Sequence, residues 1–205
     1  MVEHGFLFYR PVAPTSAQQL YEITSEALAS TNCVDLIPPE RMHLSLLHRG
    51  MLRNKNMPDS FVAEYSAYDI CRRHFATRHT AAWETVDIAL TGVKAYKNSL
   101  VVTTHQAHWL NNERRQLLFV NGIPEKKLNF KSSEFCPHIS LGKFIAKPEE
   151  DIVSKFEQTL TKASDLVTAA TLEPLHLKYG QCDWVFQSRY KQSAPEVNIN
   201  ELANV

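Results

Sequence analysis

Two short stretches of this chain set an imidazole and a hydroxyl two residues apart: Met42-His43-Leu44-Ser45-Leu46 and Pro137-His138-Ile139-Ser140-Leu141-Gly142. The two histidines are 95 positions apart, and of nine histidines only these are followed by serine at that spacing and then by leucine. Each run is short, apolar and bounded by proline or turn residues, the pattern of a buried strand. Side chains alternate across a strand, so His43 shares a face with Ser45, and His138 with Ser140. Two such units facing each other make a symmetric acid–base site. Histidine titrates near neutrality, so one ring can take a proton from an attacking hydroxyl or water while the other protonates the leaving oxygen. Ser45 and Ser140 would donate to the non-bridging oxygens of a phosphate held between them. This is the equipment for in-line attack on a phosphodiester, and it calls on no metal or cofactor.

The elements that must position these groups follow from periodicity. Residues 5–10 read as an aromatic-rich strand ending at Pro11. Pro14-Thr15-Ser16 offers a cap for a helix carrying Leu20, Ile23, Ala27 and Leu28, running to about residue 32. Pro38-Pro39 leads into the first motif strand. A second helix is expected from Pro58-Asp59-Ser60, with Phe61, Tyr65 and Tyr68 in one stripe, fading at Arg72-Arg73-His74. Residues 85–90 and 99–104 alternate as strands around a loop at Lys97-Asn98. Residues 105–120 then turn helical, stopped by Asn121-Gly122 and Pro124. After the second motif strand, Pro148 opens the clearest helix, with Ile152, Phe156 and Leu160 stepping by four and acids in its first turn. Leu175, Leu177 and Tyr179, a turn at Gly180 and Trp184-Val185-Phe186 read as a terminal hairpin. This order predicts an α+β fold of two pseudo-symmetric lobes, mainly antiparallel sheet with flanking helices, around a central cleft. A single bilobal domain is expected over residues 1–190, with a loosely attached polar tail over 191–205.

Lys+Arg and Asp+Glu both number 22 in 205 residues, so the formal charge is zero and no global field draws in a polyanion. A nucleic-acid ligand would be small, or met by a local basic cluster. Cys33, Cys71, Cys136 and Cys182 show no metal spacing, and reduced thiols are the expectation for a chain long enough to build its own core. Met1-Val2-Glu3-His4 lacks the marks of a signal peptide and no stretch approaches a membrane span, so a cytoplasmic monomer without an obligate protein partner is expected. His105 and His108 are three apart, but with no carboxylate or cysteine beside them they read as a helix end rather than a metal site. Arg72-Arg73-His74 with Arg78-His79 reads as a charged helix end, and Arg114-Arg115 as a solvated helix face. Tyr9 and Tyr96 are candidates for stacking on a base, though packing is the stronger expectation for each.

The paired H-x-[S/T]-hydrophobic motifs resemble those of the 2H phosphoesterase superfamily, especially its LigT-like RNA 2',3'-cyclic phosphodiesterases, also called 2'-5' RNA ligases. The resemblance runs from the Phe6-Leu7-Phe8 strand to the final hairpin, with serine where that branch more often has threonine. It implies two antiparallel lobes around a cleft, and a basic residue five positions after the second histidine that contacts phosphate; Lys143 stands there. Many LigT-like chains continue the first motif in an apolar Phe-Leu-Gly run, whereas this one has Leu47-His48-Arg49-Gly50. Alternation from His43 would put Arg49 on the same face, either as an added phosphate or ligand contact or, equally, as a solvated strand-end arginine. The expected function is metal-independent opening of a 2',3'-cyclic phosphate to a 2'-phosphate on a small nucleotide or RNA end. Two other readings stay open: cleavage of 2'-5' oligoadenylates or cyclic oligonucleotide signals, and a nucleotide- or RNA-binding module without turnover.

Overall fold

The computed structural model describes residues 3–51, 84–96, 98–105, 108–120, 136–147, 151–162, 169–182 and 197–198. Along them run β1 (Glu3–Pro11), α1 (Pro14–Leu28), β2 (Val34–Leu36) and, after a single turn of 3-10 helix at Pro39–Arg41, β3 (His43–Met51). Then come β4 (Val86–Tyr96), β5 (Ser99–Thr104), α2 (His108–Val120), β6 (His138–Phe144), α3 (Ile152–Lys162), β7 (Ala169–Leu172), β8 (His176–Cys182) and β9 (Val197–Asn198). The strands lie in the order β7-β4-β5-β6-β3-β1-β8-β9, with β2 on β6, and every registered pair is antiparallel. The sheet curls far enough to touch itself. Val12 bridges Leu172, Ala13 N donates to Thr171 O at 2.8 Å and Glu173 N to Pro11 O at 2.8 Å. The expected α+β architecture with antiparallel sheet is the one found. Among the described residues no helix is long and apolar enough to cross a membrane.

Both motif strands sit in the middle of the sheet, side by side, with Leu44 opposite Ile139. Their alternation separates chemistry from packing. Leu44, Leu46, Ile139 and Leu141 are buried and join Phe8, Leu100 and Val102 in a core with Leu20 and Ile23 of α1 and Ile152 and Phe156 of α3. Each such side chain, fully buried, contributes about 1.5–3 kcal/mol. The histidines and serines occupy the other, half-open face. Gly142, at the end of the second motif, is required by close approach: a Cβ there would meet Val34 Cγ1 at 2.5 Å and Asp35 O at 2.9 Å.

Several expectations are revised. The first helix starts at Pro14 with Ala13 as its cap, and Ser16 Oγ instead accepts from the Thr171 amide at 3.1 Å, tying α1 to β7. The third helical run starts at His108, because His105 N still donates to Ala89 O at 3.0 Å within the sheet. β4 extends well beyond residue 90 to Tyr96. Its register with β5 slips between Leu90 and Gly92, leaving Thr91 as an extra residue, which is why period two stops there. Gly180 is no turn: it lies inside β8 opposite Gly5. Arg114 is not on a solvated face but 1% exposed, because Leu110, Glu113, Arg114 and Leu117 form one inward stripe of α2; of the two arginines only Arg115 is exposed. Within the expected tail, Val197 and Asn198 pair with β8. The helix expected from residue 58, its basic end through His79, the stop at Asn121-Gly122, Pro148 and Trp184-Val185-Phe186 lie outside the described residues.

One buried charge pair ties the frame together. Arg10, fully buried, donates to both carboxylate oxygens of Glu113 at 3.1 and 3.2 Å, and to the carbonyls of Glu84 and Glu173 at 3.0 and 3.1 Å. Its guanidinium lies 5.3 Å from the centroid of Trp109. Four segments far apart in sequence thus meet on one side chain.

Candidate active site

The antiparallel pairing of Leu44 with Ile139 puts His43 nearest Ser140 and Ser45 nearest His138. The two imidazoles are therefore diagonal neighbours across the β3–β6 seam, a relation that sets β-carbons roughly 7–8 Å apart. That gap fits one tetrahedral phosphate, with a hydroxyl beside each ring.

Each ring is held the same way. His43 Nδ1 lies 2.8 Å from Arg41 O and His138 Nδ1 lies 2.9 Å from Cys136 O, in both cases the carbonyl two residues back. A carbonyl only accepts, so each Nδ1 carries its hydrogen and in the neutral ring Nε2 is the basic nitrogen. Each ring also has a tyrosine against it. Tyr9 meets His43 edge-on at 5.2 Å between centroids, and Tyr96 meets His138 at 5.5 Å. Thr103 pairs with His138 from β5 and donates its hydroxyl to Gly92 O at 2.9 Å.

The halves differ in surroundings. Burial holds the His138 imidazole below its ordinary titration range; the bond to Cys136 O opposes that, and the nearby Lys94 ammonium adds to the lowering. Tyr9 is closed in, 6% exposed, with His176 on its far side at 5.7 Å, so a stacking role does not fit it. Tyr96 is 45% exposed. Lys143 is half-buried on β6, beside Ser99 and Asp35 in the register and five residues on from His138. Arg49 lies in β3 opposite Phe6. The argument for placing it with His43 does not hold, because the β1–β3 register slips at Leu46, between the Tyr9–Ser45 and Phe8–Leu47 pairs. The Arg49 side chain lies outside the described residues.

The motifs alone did not reveal Lys94 and His176. His176 was legible only as a polar position in an alternating strand. Lys94 was hidden by the extra residue at Thr91: unbroken alternation from Ile88 would place Lys94 and Tyr96 on the core face, whereas the slip puts Val93 there.

No protein-family model matches the chain, and no curated protein does. Solved structures do. One from Agrobacterium tumefaciens, described as a conserved protein of unknown function, shares 12% identity with a TM-score of 0.60, over 87% of this chain and 81% of that one. Usb1 of Kluyveromyces marxianus with uridine monophosphate shares 18% identity at a TM-score of 0.52, over 86% of this chain and 94% of that one. E. coli LigT with 3'-AMP shares 11% identity at 0.52, over 89% of this chain and 96% of that one. At these identities the likeness is one of fold, and the chain has the LigT-like fold that its two motifs led one to expect.

Proposed function

We propose that this chain is a metal-independent phosphodiesterase that opens a 2',3'-cyclic phosphate on a small nucleotide or RNA end to a 2'-phosphate. The observation that carries this reading is the matched anchoring of His43 and His138, each Nδ1 on the carbonyl two residues back, on adjacent strands of one face. His138, whose surroundings favour the neutral ring, is the base. It takes a proton from water as the water oxygen bonds to phosphorus. The bond from phosphorus to O3' breaks, and His43, protonated, delivers its Nε2 proton to that oxygen. Ser45 and Ser140 donate to the non-bridging oxygens, and Lys143 adds positive charge at the far end of β6. Tyr96 is the exposed ring on which a base stacks. Support for a nucleotide ligand comes from the fold's relatives, since LigT has been solved with 3'-AMP and with NADP+, and Usb1 with uridine monophosphate.

The test is hydrolysis of 2',3'-cyclic AMP in EDTA. Wild type should give the 2'-phosphate, and His43→Ala and His138→Ala should each lose about a hundred- to ten-thousandfold. A protein that binds nucleotides tightly yet leaves cyclic phosphates, 2'-5' oligoadenylates and cyclic dinucleotides intact would be a binding module instead.

A further inference from the structure

The β4 flank of the site carries a cation that the paired motifs leave out. Lys94 pairs with Val101 of β5, and Val101 with Ser140 of β6, so Lys94 stands in the same cross-strand row as the second motif's hydroxyl. It is exposed, and its Nζ lies 3.7 Å from Cys136 Sγ. A thiol is a weak acceptor and leaves the ammonium's charge uncancelled. Among the described residues the contact of its ammonium is this sulfur, and no carboxylate pairs with it. Two positions along the strand stands Tyr96, its ring exposed and packed on His138. The opposite flank is different: there Tyr9 is closed in between His43 and His176. The β4 side of the site thus presents an exposed aromatic ring and an exposed cation.

We propose that Lys94 is a specificity-determining contact for a second phosphate adjoining the scissile one, so that the substrate is an oligonucleotide end rather than a lone mononucleotide. This rests on the phosphodiesterase reading above and deepens it. Neighbouring strands lie roughly 4.8 Å apart, which sets β4 roughly 10 Å from β6. The Lys94 ammonium is at Cys136, two residues before His138, rather than at a residue of the β3–β6 seam, a place that suits the next phosphate along a nucleotide chain. Tyr96 beside it would hold the intervening base. The arrangement also couples binding to chemistry. Unpaired, the ammonium discourages a proton on His138; paired with a phosphate, it no longer does, and the ring accepts the proton when attack requires it. The groups facing His138 are Lys94 and Tyr96 of β4, Cys136 on its own segment and His43 across the seam, while β5 presents the uncharged Thr103.

The experiment compares 2',3'-cyclic AMP with the adenosine dinucleotide ending in the same cyclic phosphate, in EDTA, from pH 5 to 8. Wild type should prefer the dinucleotide. Lys94→Met should lower that preference about tenfold, through KM, and move the acidic limb of kcat/KM to higher pH; Lys94→Arg should keep both. Equal losses on the two substrates with an unmoved limb, or no loss at all, would overturn the assignment. If wild type cleaves neither substrate, the phosphodiesterase reading is the one that fails. Calorimetric binding of AMP and pApA then judges Lys94 alone: a selective loss of pApA affinity in Lys94→Met upholds it, and unchanged affinity overturns it.

Discussion

An imidazole becomes a directed proton carrier when one nitrogen is tied and its tautomer thereby fixed, and here the same tie occurs twice, at Arg41 O and Cys136 O. The consequence for pH is specific to His138. The folded state holds its pKa below the ordinary value of about 6.5, whereas the unfolded chain takes up the proton near that value. As pH falls through this window the unfolded state binds more protons, so stability drops with it. The His138 resonances should titrate with a midpoint below 6.5 in NMR, and the acidic limb of kcat/KM should follow that midpoint. Ser45→Ala and Ser140→Ala should each cost about ten- to a hundredfold in kcat, less than either histidine, because one charge-assisted hydrogen bond is lost rather than a proton carrier. At this scale the paired histidines and serines were legible, since a two-residue spacing survives any strand twist. Lys94 was not, because one extra residue in a strand, at Thr91, reverses every face that follows it.

The elements that hold these residues depend on two tight places. β2 presses on Gly142, so Gly142→Ala must push Val34 and the Asp35 carbonyl aside. The expected cost is about 1–3 kcal/mol, read as a lower urea midpoint together with reduced kcat, since β6 carries His138 and Ser140 as well. The second place is the Arg10–Glu113 pair, at 0% and 6% exposure. Glu113→Ala leaves a buried guanidinium without its carboxylate and should cost about 3–5 kcal/mol in urea unfolding. Glu113→Leu combined with Arg10→Met should recover part of that loss. The long amphipathic helices and the motif strands were readable from period. β2 and β7, at three and four residues, are too short to show one. The burial of Arg114 could have been read from its place between Leu110 and Leu117, had the charges not argued for solvent.

For the molecule as a whole, equal numbers of acids and bases leave attraction to nucleic acid to local groups. With Lys94 and Lys143 as the cations engaged, single-stranded RNA should bind with a log–log salt slope of roughly −1.4, at about 0.7 per contact. A slope several times steeper would reveal a basic surface beyond the site. The fold class was legible because motif and element order repeat, whereas the closure of the sheet was not, since no local pattern announces that residue 12 will meet residue 172. That closure has a consequence in time. β1 finds β3 some forty residues later, but its other edge waits for β8, and its end for β7, more than a hundred and fifty residues on. At about 5–20 residues per second, a chain leaving the ribosome therefore carries an aromatic strand with one raw edge for roughly ten to thirty seconds. Pulse-labelled hydrogen exchange during refolding should protect the β5–β6 amides before those by which β1 meets β8. β1 is made long before its last partner, and a cell making this protein must keep that edge from finding a stranger first.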